Sequence, residues 1–486
     1  MTHKEWSSHV TGKALILGMG ASGLACARHL AERGFALVVA DTRLSPPNAD
    51  AIFAISPEAE LIMGQLPERL DDQITMVVVS PGLSLYTGPS GALIAQARAK
   101  GIEVLGELEL FARELERLRR EKGYCPQVIG VTGTNGKTTS VTLMATLLRA
   151  AGKRVALAGN VGPNALDVLA SALEGPHWPE AWVLELSSFQ LASTTSLTLD
   201  VALLTNITED HLDWHGSMAV YAEDKCRIFR HALVGVINRQ DPLTMDVREA
   251  IQVPRLLTIG EDAPVEEGDW VLAPHNEGST SLWLGEYQSG GFVPFCPEEA
   301  LQLAGRHNTL NVLGVLAMLK AIGVDLSTVL SALKGYQGEP HRVQPMFEAD
   351  GVLVVDDSKG TNVGAVVAAI KGLAARGRRI LIVLGGDGKG QDFTPLAEVL
   401  KAHAGAVALI GRDAPKILAA IAPAQVPTKS CFGMAEAVTW LWSQHKAGDV
   451  LLLSPGCASW DMYRNYAERS EDFIKCARFV TGVDER

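Results

Sequence analysis

The sequence lacks the features that mark membrane-embedded and secreted proteins. Its 486 residues contain no apolar run long enough to span a bilayer, since Ala14 to Leu17 and Val450 to Leu453 have only the length of a strand. Lys4 and Glu5 interrupt the amino terminus, so we expect no secretory signal. The seven cysteines are scattered and show no CxxC spacing. We therefore expect reduced thiols, no membrane span and a cytoplasmic location.

An excess of positive charge is also missing. With 43 basic and 55 acidic residues, the net charge is −12. Such a chain repels polyphosphates, which argues against general binding of nucleic acid or anionic membranes. Only 20% of the residues are charged and 47% are hydrophobic, a balance typical of large buried cores rather than disorder. We expect a soluble globular protein, and any phosphate must be bound locally.

The organisation of the chain predicts an α/β protein. Short runs rich in Val, Leu and Ile alternate with helix-like stretches, which is typical of βαβ units around parallel sheets. The sequence has no internal repeat of fixed period, so a solenoid is not indicated. Glycine and proline break the alternating pattern near Gly123 and again between Gly335 and Pro340. We therefore predict three domains, over residues 1–123, 124–337 and 338–486, with a β-hairpin elaboration at 262–297.

The strongest motif is the loop Thr132 to Thr139, between an apolar strand and a helix. Small residues there expose backbone N–H groups and a helix N-terminus to phosphate, Lys137 adds a charge, and Thr138 can ligate Mg²⁺. The general phosphate-loop pattern asks for glycine at the position of Val131, so this is a variant of it. The motif predicts a nucleoside triphosphate site.

The first block carries a second phosphate motif. Gly18 to Gly23 follow a strand, and Asp41 closes the next strand. Taken alone, this fingerprint predicts a dinucleotide such as NAD, with the acid accepting from a ribose hydroxyl. The same geometry serves any nucleoside diphosphate, so the residues leave both ligands open.

Two ligand-type side chains follow strands of the middle block. Glu185 and His211 should both emerge at the carboxyl edge of the sheet, where the phosphate loop also lies. Carboxylate and imidazole groups at that edge can complete a Mg²⁺ site.

Taken together, these motifs resemble the Mur ligase superfamily of ATP-dependent amide-forming enzymes over nearly the whole chain. The resemblance rests on residues 132–137 (TGTNGK), 206–213 (NITEDHLD), 305–311 (GRHNTLN), 356–362 (DDSKGTN) and 453–459 (LSPGCAS). The fold we expect has a Rossmann-like amino-terminal domain, a central parallel sheet of the P-loop ATPase type, and a Rossmann-like carboxyl-terminal domain.

The resemblance also implies roles for individual residues. The residues implied to bind ATP are Gly133, Thr134, Asn135, Gly136, Lys137, Thr138, Thr139, Asn308, Asn311, Arg342, Asp357 and Lys359. Those implied to bind a UDP-linked substrate are Ser22, Asp41, Thr42, Arg43, Gly82 and Asn160. Those implied to hold Mg²⁺ are Thr138, Glu185, His211 and Lys225, and the catalytic set is Lys137, His211 and Lys225.

The third block is most similar to the family members that add D-glutamate. By this resemblance, the residues of this chain that would hold the amino acid are Thr361, Lys389, Ser459 and Tyr466. The Asp-Asn-Pro-Arg signature of the diaminopimelate-adding relatives is absent. Lys389 supplies a cation for a carboxylate, and Ser459 supplies a hydroxyl donor. Two features depart from the family: Tyr466 stands where phenylalanine is usual, and residues 262–297 are longer.

Lys225 matches a lysine that is carbamylated in related ligases. The modification requires a neutral amine to attack CO₂, which burial or a nearby cation would favour by lowering the amine pKa. From the sequence alone, the residue reads as one more exposed charge on a helix.

The resemblance implies a monomeric enzyme with the substrates UDP-N-acetylmuramoyl-L-alanine and D-glutamate. ATP would phosphorylate the terminal carboxylate, and the amine of D-glutamate would displace phosphate. Three alternatives stay open: a folylpolyglutamate synthetase, a nicotinamide oxidoreductase built on Gly18 to Gly23, and a nucleotide-binding regulator without catalysis.

Overall fold

A computed structural model describes residues 12–264, 266–276, 279–303, 305–374 and 377–483. Lys4 and Glu5, on which the expectation of no secretory signal rests, lie outside this range. The described chain forms three β-sheets of five, nine and six strands. We call each sheet with its helices a lobe: amino-terminal, central and carboxyl-terminal.

The amino-terminal lobe is a parallel sheet with helices packed on it. Its elements are β1 (Lys13–Leu17), α1 (Ala21–Ala31), β2 (Ala36–Asp41), α2 (Ala49–Ile55), β3 (Glu60–Met63), β4 (Ile74–Val79), α3 (Gly88–Ala99), β5 (Glu103–Leu105) and α4 (Glu107–Lys122). The strand order is β3-β2-β1-β4-β5, and all neighbours are parallel. The order reverses at β1, which opens a crevice beside the loop that follows this strand. The prediction of a Rossmann-like first domain is confirmed.

The central lobe contains the largest sheet. Its strands are β6 (Gln127–Thr132), β7 (Val155–Gly159), β8 (Ala181–Glu185), β9 (Leu199–Leu204), β10 (Ala232–Asn238), β11 (Arg255–Gly260), β12 (Trp270–Pro274), β13 (Leu282–Gln288) and β14 (Gly291–Pro297). Its helices are α5 (Lys137–Ala150), α6 (Ala165–Glu174), α7 (Ser188–Ala192), α8 (Leu212–His215), α9 (Met218–Cys226), α10 (Pro242–Asp246), α11 (Arg306–Ala321) and α12 (Leu330–Gly335). The strand order is β14-β13-β12-β11-β10-β9-β6-β8-β7.

The predicted elaboration at 262–297 extends this central sheet. β12 joins β11 in parallel, whereas β13 and β14 continue as antiparallel neighbours. β13 and β14 form the expected hairpin, and β12 connects it to the parallel part of the sheet. The extension therefore lengthens one edge of the sheet, far from β6 and its phosphate loop.

The carboxyl-terminal lobe is a second Rossmann-like sheet, as predicted. Its elements are β15 (Gln344–Ala349), β16 (Val352–Asp356), α13 (Val363–Ala374), β17 (Ile380–Gly385), α14 (Leu396–His403), β18 (Ala404–Ile410), α15 (Ala414–Ile421), β19 (Thr428–Ser430), α16 (Met434–Ser443), β20 (Val450–Leu453) and α17 (Tyr466–Thr481). The order is β15-β16-β20-β17-β18-β19, in which β15 pairs antiparallel to β16 and the other neighbours are parallel.

Apolar packing joins the first two lobes. One continuous buried cluster includes residues of α1 and α4 together with residues of β8 and β9. Within it, Phe111 of α4 meets Trp182 of β8 edge to face, with ring centroids 4.9 Å apart. Glu109 reinforces the junction by accepting hydrogen bonds from the backbone of Thr195 and Ser196 at 2.7 and 2.9 Å. The first two lobes therefore share a core.

The carboxyl-terminal lobe packs differently. Its two buried apolar clusters are built from residues that lie from Val343 onward. Helix α4 ends at Lys122 and α12 at Gly335, close to the breaks expected at 123 and 337, but the domain boundaries themselves stay a prediction. Within the described ranges, no helix combines the length and the apolar character needed to cross a membrane.

The shared core makes a prediction about stability. Phe111→Ala should lower the free energy of unfolding by about 3 to 5 kcal/mol, because it leaves a cavity against Trp182. Denaturant unfolding followed by tryptophan fluorescence would measure the change. Phe479→Ala is the matched control, since that ring is 86% exposed. Equal unfolding midpoints for both variants would contradict the shared core.

Candidate functional site

The phosphate loop joins β6 to α5 and depends on two glycines. Gly133 and Gly136 have φ angles of 149° and 83°, a region that side chains other than glycine rarely adopt. A Cβ on Gly133 would lie 1.9 Å from Thr205 Oγ1, and one on Gly136 would lie 2.5 Å from Asn311 Oδ1. The loop is therefore pressed between the end of β9 and helix α11.

Hydrogen bonds fix the loop to the segment that follows β9. The backbone N–H of Thr134 donates to Asn206 O, and that of Asn135 donates to Asn206 Oδ1, each at 2.9 Å. Thr205 Oγ1 donates back to the carbonyl of Asn135 at 2.6 Å. These bonds leave the unpaired N–H groups in the first turn of α5 to face an anion.

Two lysines converge on one carbonyl oxygen of the loop. Lys137 Nζ donates to the carbonyls of Gly133 and Thr134 at 2.8 Å, and Lys225 Nζ donates to Gly133 O at 2.9 Å. Burial lowers the pKa of both amines. For Lys225 the lowering is large, because the side chain is only 2% exposed and the charge of Lys137 adds to the effect. Lys225 is thus not the exposed charge that its sequence context suggests.

Glu185, at the end of β8, has an oxygen that lacks a partner. Its Oε1 accepts from Asn160 Nδ2 at 2.6 Å, whereas Oε2 is buried and has no hydrogen-bond partner among the described residues. A buried carboxylate oxygen left in this way needs a cation or a donor. Its charge also acts on Lys137, where it raises the amine pKa against the effect of burial. The position fits one carboxylate ligand of Mg²⁺.

Two other implied metal ligands, His211 and Thr138, lie in different surroundings. His211 precedes α8 in a left-handed conformation, with φ of 55° and Nε2 3.5 Å from Asp210 Oδ2. Burial lowers its pKa, which favours the neutral imidazole that a metal needs. Thr138 Oγ1 accepts from Arg342 Nη2 at 2.8 Å.

The implied metal set is not a complete protein cage. Across the described ranges, no group of three or more His, Cys, Asp or Glu side chains could hold a metal ion by itself. Mg²⁺ usually takes one or two carboxylates and fills its remaining positions with water and substrate phosphates. The residues present therefore fit a Mg²⁺ ion that binds together with a nucleotide.

A cleft of about 590 Å³ lies between the amino-terminal and central lobes. The loop after β1 and the turn after β4 form one wall, and residues 159–164 after β7 form the other. All six residues implied to bind a UDP-linked substrate line this cleft: Ser22, Asp41, Thr42, Arg43, Gly82 and Asn160. Asn160 also bonds Glu185, which pairs with Val131 of β6, so this wall of the cleft is connected to the strand that leads into the phosphate loop.

Asp41 is engaged more fully than a dinucleotide fingerprint requires. Its carboxylate accepts from Met19 N at 2.7 Å and from the backbone N, Nε and Nη2 of Arg43 at 2.9, 2.9 and 2.7 Å. The bonds from Arg43 are the main cause that lowers its pKa to about 2. With four donors already present, the carboxylate has little capacity left for a ribose hydroxyl. Asp41 instead orients the guanidinium of Arg43 toward the cleft.

The third lobe reaches the phosphate loop through polar side chains. Arg342 bonds Thr138, and Asn362 and Asn135 exchange amide hydrogen bonds at 3.1 and 3.3 Å. Asp357 is buried beside this contact, and burial raises its pKa to about 7. Asn308 and Asn311 lie buried on α11, at 3.4 Å from each other, and Asn311 packs against Gly136.

The residues implied to hold an amino acid lie at one edge of the third sheet. Thr361 follows β16, Lys389 follows β17, and Ser459 and Tyr466 follow β20, which are three adjacent strands. Lys389 is exposed, and its charge adds to the effect of burial in lowering the pKa of His211. Lys359 Nζ lies 3.7 Å above the centroid of the Tyr466 ring. The edge therefore carries positive charge toward the central lobe.

Sequence reasoning missed two residues that hold the loop. Tyr221 OH lies 3.0 Å from Thr134 Oγ1, and Asn362 bonds Asn135 although the resemblance implies no role for it. The local sequence of Tyr221 carries no signal for this contact. Its role appears only when α9 packs under the loop.

The chain is similar to known proteins along most of its length. Three family models match it: "Mur ligase MurD-like, N-terminal domain" over residues 12–106, "Mur ligase middle domain" over 131–319, and "Mur ligase, glutamate ligase domain" over 341–457.

Relatives match over nearly the full length. UDP-N-acetylmuramoylalanine--D-glutamate ligase of Ralstonia nicotianae is 43% identical over 479 residues, covering 94% of this chain and 95% of the relative. The enzyme of the same name from Cupriavidus pinatubonensis is 44% identical over 483 residues, with the same coverage. The crystal structure of MurF from Acinetobacter baumannii is 20% identical, with a TM-score of 0.57, covering 85% of this chain and 95% of that one. This last likeness concerns the fold alone.

The packing of the phosphate loop yields a prediction. Gly136→Ala should weaken binding of a nucleoside triphosphate by about tenfold or more, equivalent to about 1.4 kcal/mol, because the new methyl group would displace Asn311. Calorimetric titration with the nucleotide would measure this. Gly152→Ala is the matched control: Gly152 has φ of 81° at the other end of α5, and a methyl group there would meet no atom within 4 Å. Equal affinities would contradict the tight packing of the loop.

Proposed function

The chain belongs to the Mur ligase family, and from this premise we propose that it is the ATP-dependent ligase that joins D-glutamate to UDP-N-acetylmuramoyl-L-alanine in peptidoglycan synthesis. The observation that carries the proposal is the link between the two phosphate-type loops. The cleft of about 590 Å³ is lined by Asn160, whose amide bonds Glu185 beside the loop of Lys137. A nucleotide-linked acid in the cleft would thus bring its far end to the phosphoryl donor.

The amino-terminal wall of the cleft suits the UDP part of the substrate. The N-terminus of α1 and the loop after β1 can face the diphosphate, and Arg43 is held by Asp41 where it can meet a polar group of the ligand. Ser22 and Asn160 line the same space from the two lobes, and Ser22 Oγ donates to Asn164 Oδ1 across it at 3.3 Å. The L-alanyl carboxylate would then lie toward Glu185 and Lys137.

ATP would bind across the central and carboxyl-terminal lobes. The first turn of α5 and Lys137 would hold its phosphates, and Arg342 already lies against Thr138 at the same point. Asn308 and Asn311 would lie on the adenine side. Asp357 and Lys359 approach from the third lobe, so nucleotide binding would bring the lobes together.

Mur ligases use ATP and Mg²⁺. When bound, Mg²⁺ supplies neutralising charge on the transferring phosphoryl group. The residues that would hold it are Thr138, Glu185, His211 and Lys225, the last as a carbamate. The buried, partnerless oxygen of Glu185 supports this assignment.

Carbamylation of Lys225 is supported by the state of its amine. Burial and the charge of Lys137 lower its pKa, so a larger fraction is neutral at pH 7. The neutral amine forms an N–C bond to CO₂ and loses one proton, which gives an anionic carbamate. The anionic carbamate would also place a negative charge beside the buried ammonium group of Lys137.

The reaction then needs two displacements at one cleft. The L-alanyl carboxylate attacks the γ-phosphorus of ATP, and ADP leaves with the charge stabilised by Lys137 and the first turn of α5. The neutral amine of D-glutamate attacks the resulting acyl phosphate, and the tetrahedral intermediate expels phosphate and loses a proton. Lys389 and Ser459 would hold the carboxylates of D-glutamate against this edge. The approach of the third lobe would exclude water, which would otherwise hydrolyse the acyl phosphate.

The three alternative functions receive less support from the observed contacts. A nicotinamide oxidoreductase would need Asp41 free for a ribose hydroxyl, but four donors fill it. A folylpolyglutamate synthetase or a non-catalytic regulator is not favoured by any specific contact. The expectations of a monomer and of a cytoplasmic location stay predictions.

The proposal is tested by phosphate release from ATP in the presence of UDP-N-acetylmuramoyl-L-alanine, with the added amino acid varied. D-glutamate should stimulate release strongly, whereas L-glutamate, diaminopimelate and a folate acceptor should not. Lys137→Ala should abolish release, because the γ-phosphate loses its buried cation. Release that depends on another amino acid, or near-normal turnover of Lys137→Ala, would refute the proposal.

The carbamate makes a separate prediction. Lys225→Ala should lower kcat on the order of a hundredfold, and added acetate should restore part of it by supplying the missing carboxylate. Steady-state kinetics with and without acetate would measure both effects. Lys153→Ala removes an exposed lysine of the same lobe and should match the wild type in both conditions. A Lys225→Ala enzyme that turns over normally, or that ignores acetate, would remove the carbamate from the mechanism.

A further inference from the structure

A second polar cluster lies beneath the site and contains none of the residues assigned above. Ser188 Oγ is 2.9 Å from His215 Nε2, and His215 Nδ1 is 2.9 Å from Asp224 Oδ2. This is the order of groups in a serine hydrolase. However, the three residues are only 3%, 1% and 0% exposed, so no substrate can reach the hydroxyl. The cluster must act on the protein itself.

The cluster crosses the junction between the first two lobes. Tyr86, from the amino-terminal lobe, donates its hydroxyl to Asp224, with distances of 2.8 and 2.9 Å to the two oxygens. Arg227 Nε forms an ion pair with the same carboxylate at 2.9 Å. Because a carboxylate only accepts, Nδ1 of His215 donates to Asp224, and Nε2 on the other side of the ring is within hydrogen-bond distance of Ser188. The buried carboxylate is thus held by a residue 138 positions away in the chain.

The cluster is attached to both implied metal-site helices. Asp224 directly precedes Lys225 on α9, and His215 is the last residue of α8, which begins just after His211. Helix α8 is itself docked on the first lobe: Trp214 Nε1 donates to Pro81 O at 3.1 Å, and Ser84 Oγ donates to Trp214 O at 2.6 Å.

The turn after β4, against which α8 docks, also belongs to the substrate cleft. Pro81 and the adjacent Gly82 line its wall. Phe189 fills the space behind α8, with its ring centroid 4.8 Å from that of His211 and 5.4 Å from that of His215. The amino-terminal lobe therefore contacts the helices of His211 and Lys225 through hydrogen bonds and ring packing.

We propose that Asp224, held by Tyr86 and His215, is a positioning residue for Lys225. The proposal rests on the function proposed above. Helix α9 has nine residues, and Lys225 near its end must reach Gly133 O at 2.9 Å. Tyr86, His215 and Arg227 all bind Asp224, the residue before Lys225. These contacts fix the position and rotation of the turn of α9 that carries Lys225. A displacement of about 1 Å at such a group can cost on the order of a hundredfold in rate.

The test compares Asp224→Asn and Tyr86→Phe with Ser217→Ala. The asparagine keeps the shape but turns one acceptor oxygen into a donor, and the phenylalanine removes the hydroxyl that crosses the lobe junction. Ser217 is exposed and caps the start of the same helix through Val220 N, so its alanine variant perturbs α9 without touching the cluster.

Three quantities are measured for each variant: kcat, the dissociation constant of UDP-N-acetylmuramoyl-L-alanine by calorimetry, and the carbamate signal in ¹³C NMR after incubation with ¹³C-bicarbonate. Asp224→Asn should lower kcat about ten- to a hundredfold and reduce the carbamate signal, with the dissociation constant unchanged. Tyr86→Phe should change the same two quantities by less. Ser217→Ala should match the wild type in all three.

The outcomes separate this inference from the proposed function. Normal kcat and a normal carbamate signal in folded Asp224→Asn would overturn the inference and leave the proposed function standing. A loss of thermal stability alone, without a change in kcat, would overturn it as well. If Asp224→Asn does not fold, Tyr86→Phe decides by the same criteria. A wild-type enzyme without D-glutamate-dependent turnover would refute the proposed function and this inference with it.

Discussion

The close packing of the phosphate loop is the constraint on which the rest of the site depends. Gly133 and Gly136 allow the loop to lie against Thr205 and Asn311, where no other residue would fit. Because the loop cannot move away from β9 and α11, the carbonyl of Gly133 becomes a fixed point. Lys137 and Lys225 are both placed by reference to it. The positions of these two lysine side chains therefore depend on the lack of a side chain at Gly133 and Gly136.

The two junctions between lobes differ in their physical nature. The amino-terminal and central lobes share an apolar core, to which Phe111 belongs, and partly buried hydrogen bonds such as those that Glu109 accepts. The carboxyl-terminal lobe meets the loop through Arg342 and Asn362, and its own cores stay separate. Hydrogen bonds between two lobes can be replaced by hydrogen bonds to water or a ligand at little cost in free energy. Opening an apolar core instead exposes apolar surface to water, which costs much more. We therefore expect substrate to bind in a cleft of fixed shape, while the edge of the third sheet that carries Lys389 and Ser459 can approach it.

Much of the fold was predictable because it is local in sequence. Apolar runs such as Val128 to Val131 mark strands, glycines mark the loops after them, and the carboxyl ends of parallel strands must meet at one edge. This logic brought Glu185 and the phosphate loop together correctly. It could not give the state of a side chain. Asp41 reads as a free acid but is filled by four donors, and Lys225 reads as exposed but is buried. The contact between Tyr86 and Asp224 joins residues 138 positions apart, which no local pattern encodes.

The antiparallel extension of the central sheet ends in β14, which carries Pro294 and Pro297. Proline has no N–H group, so each of these positions lacks a donor that a neighbouring strand would need. A long sheet with a regular outer strand invites pairing with a second chain and, from there, aggregation. The prolines of β14 therefore remove donors from the outer strand of this nine-stranded sheet, which disfavours pairing of this edge with a second chain.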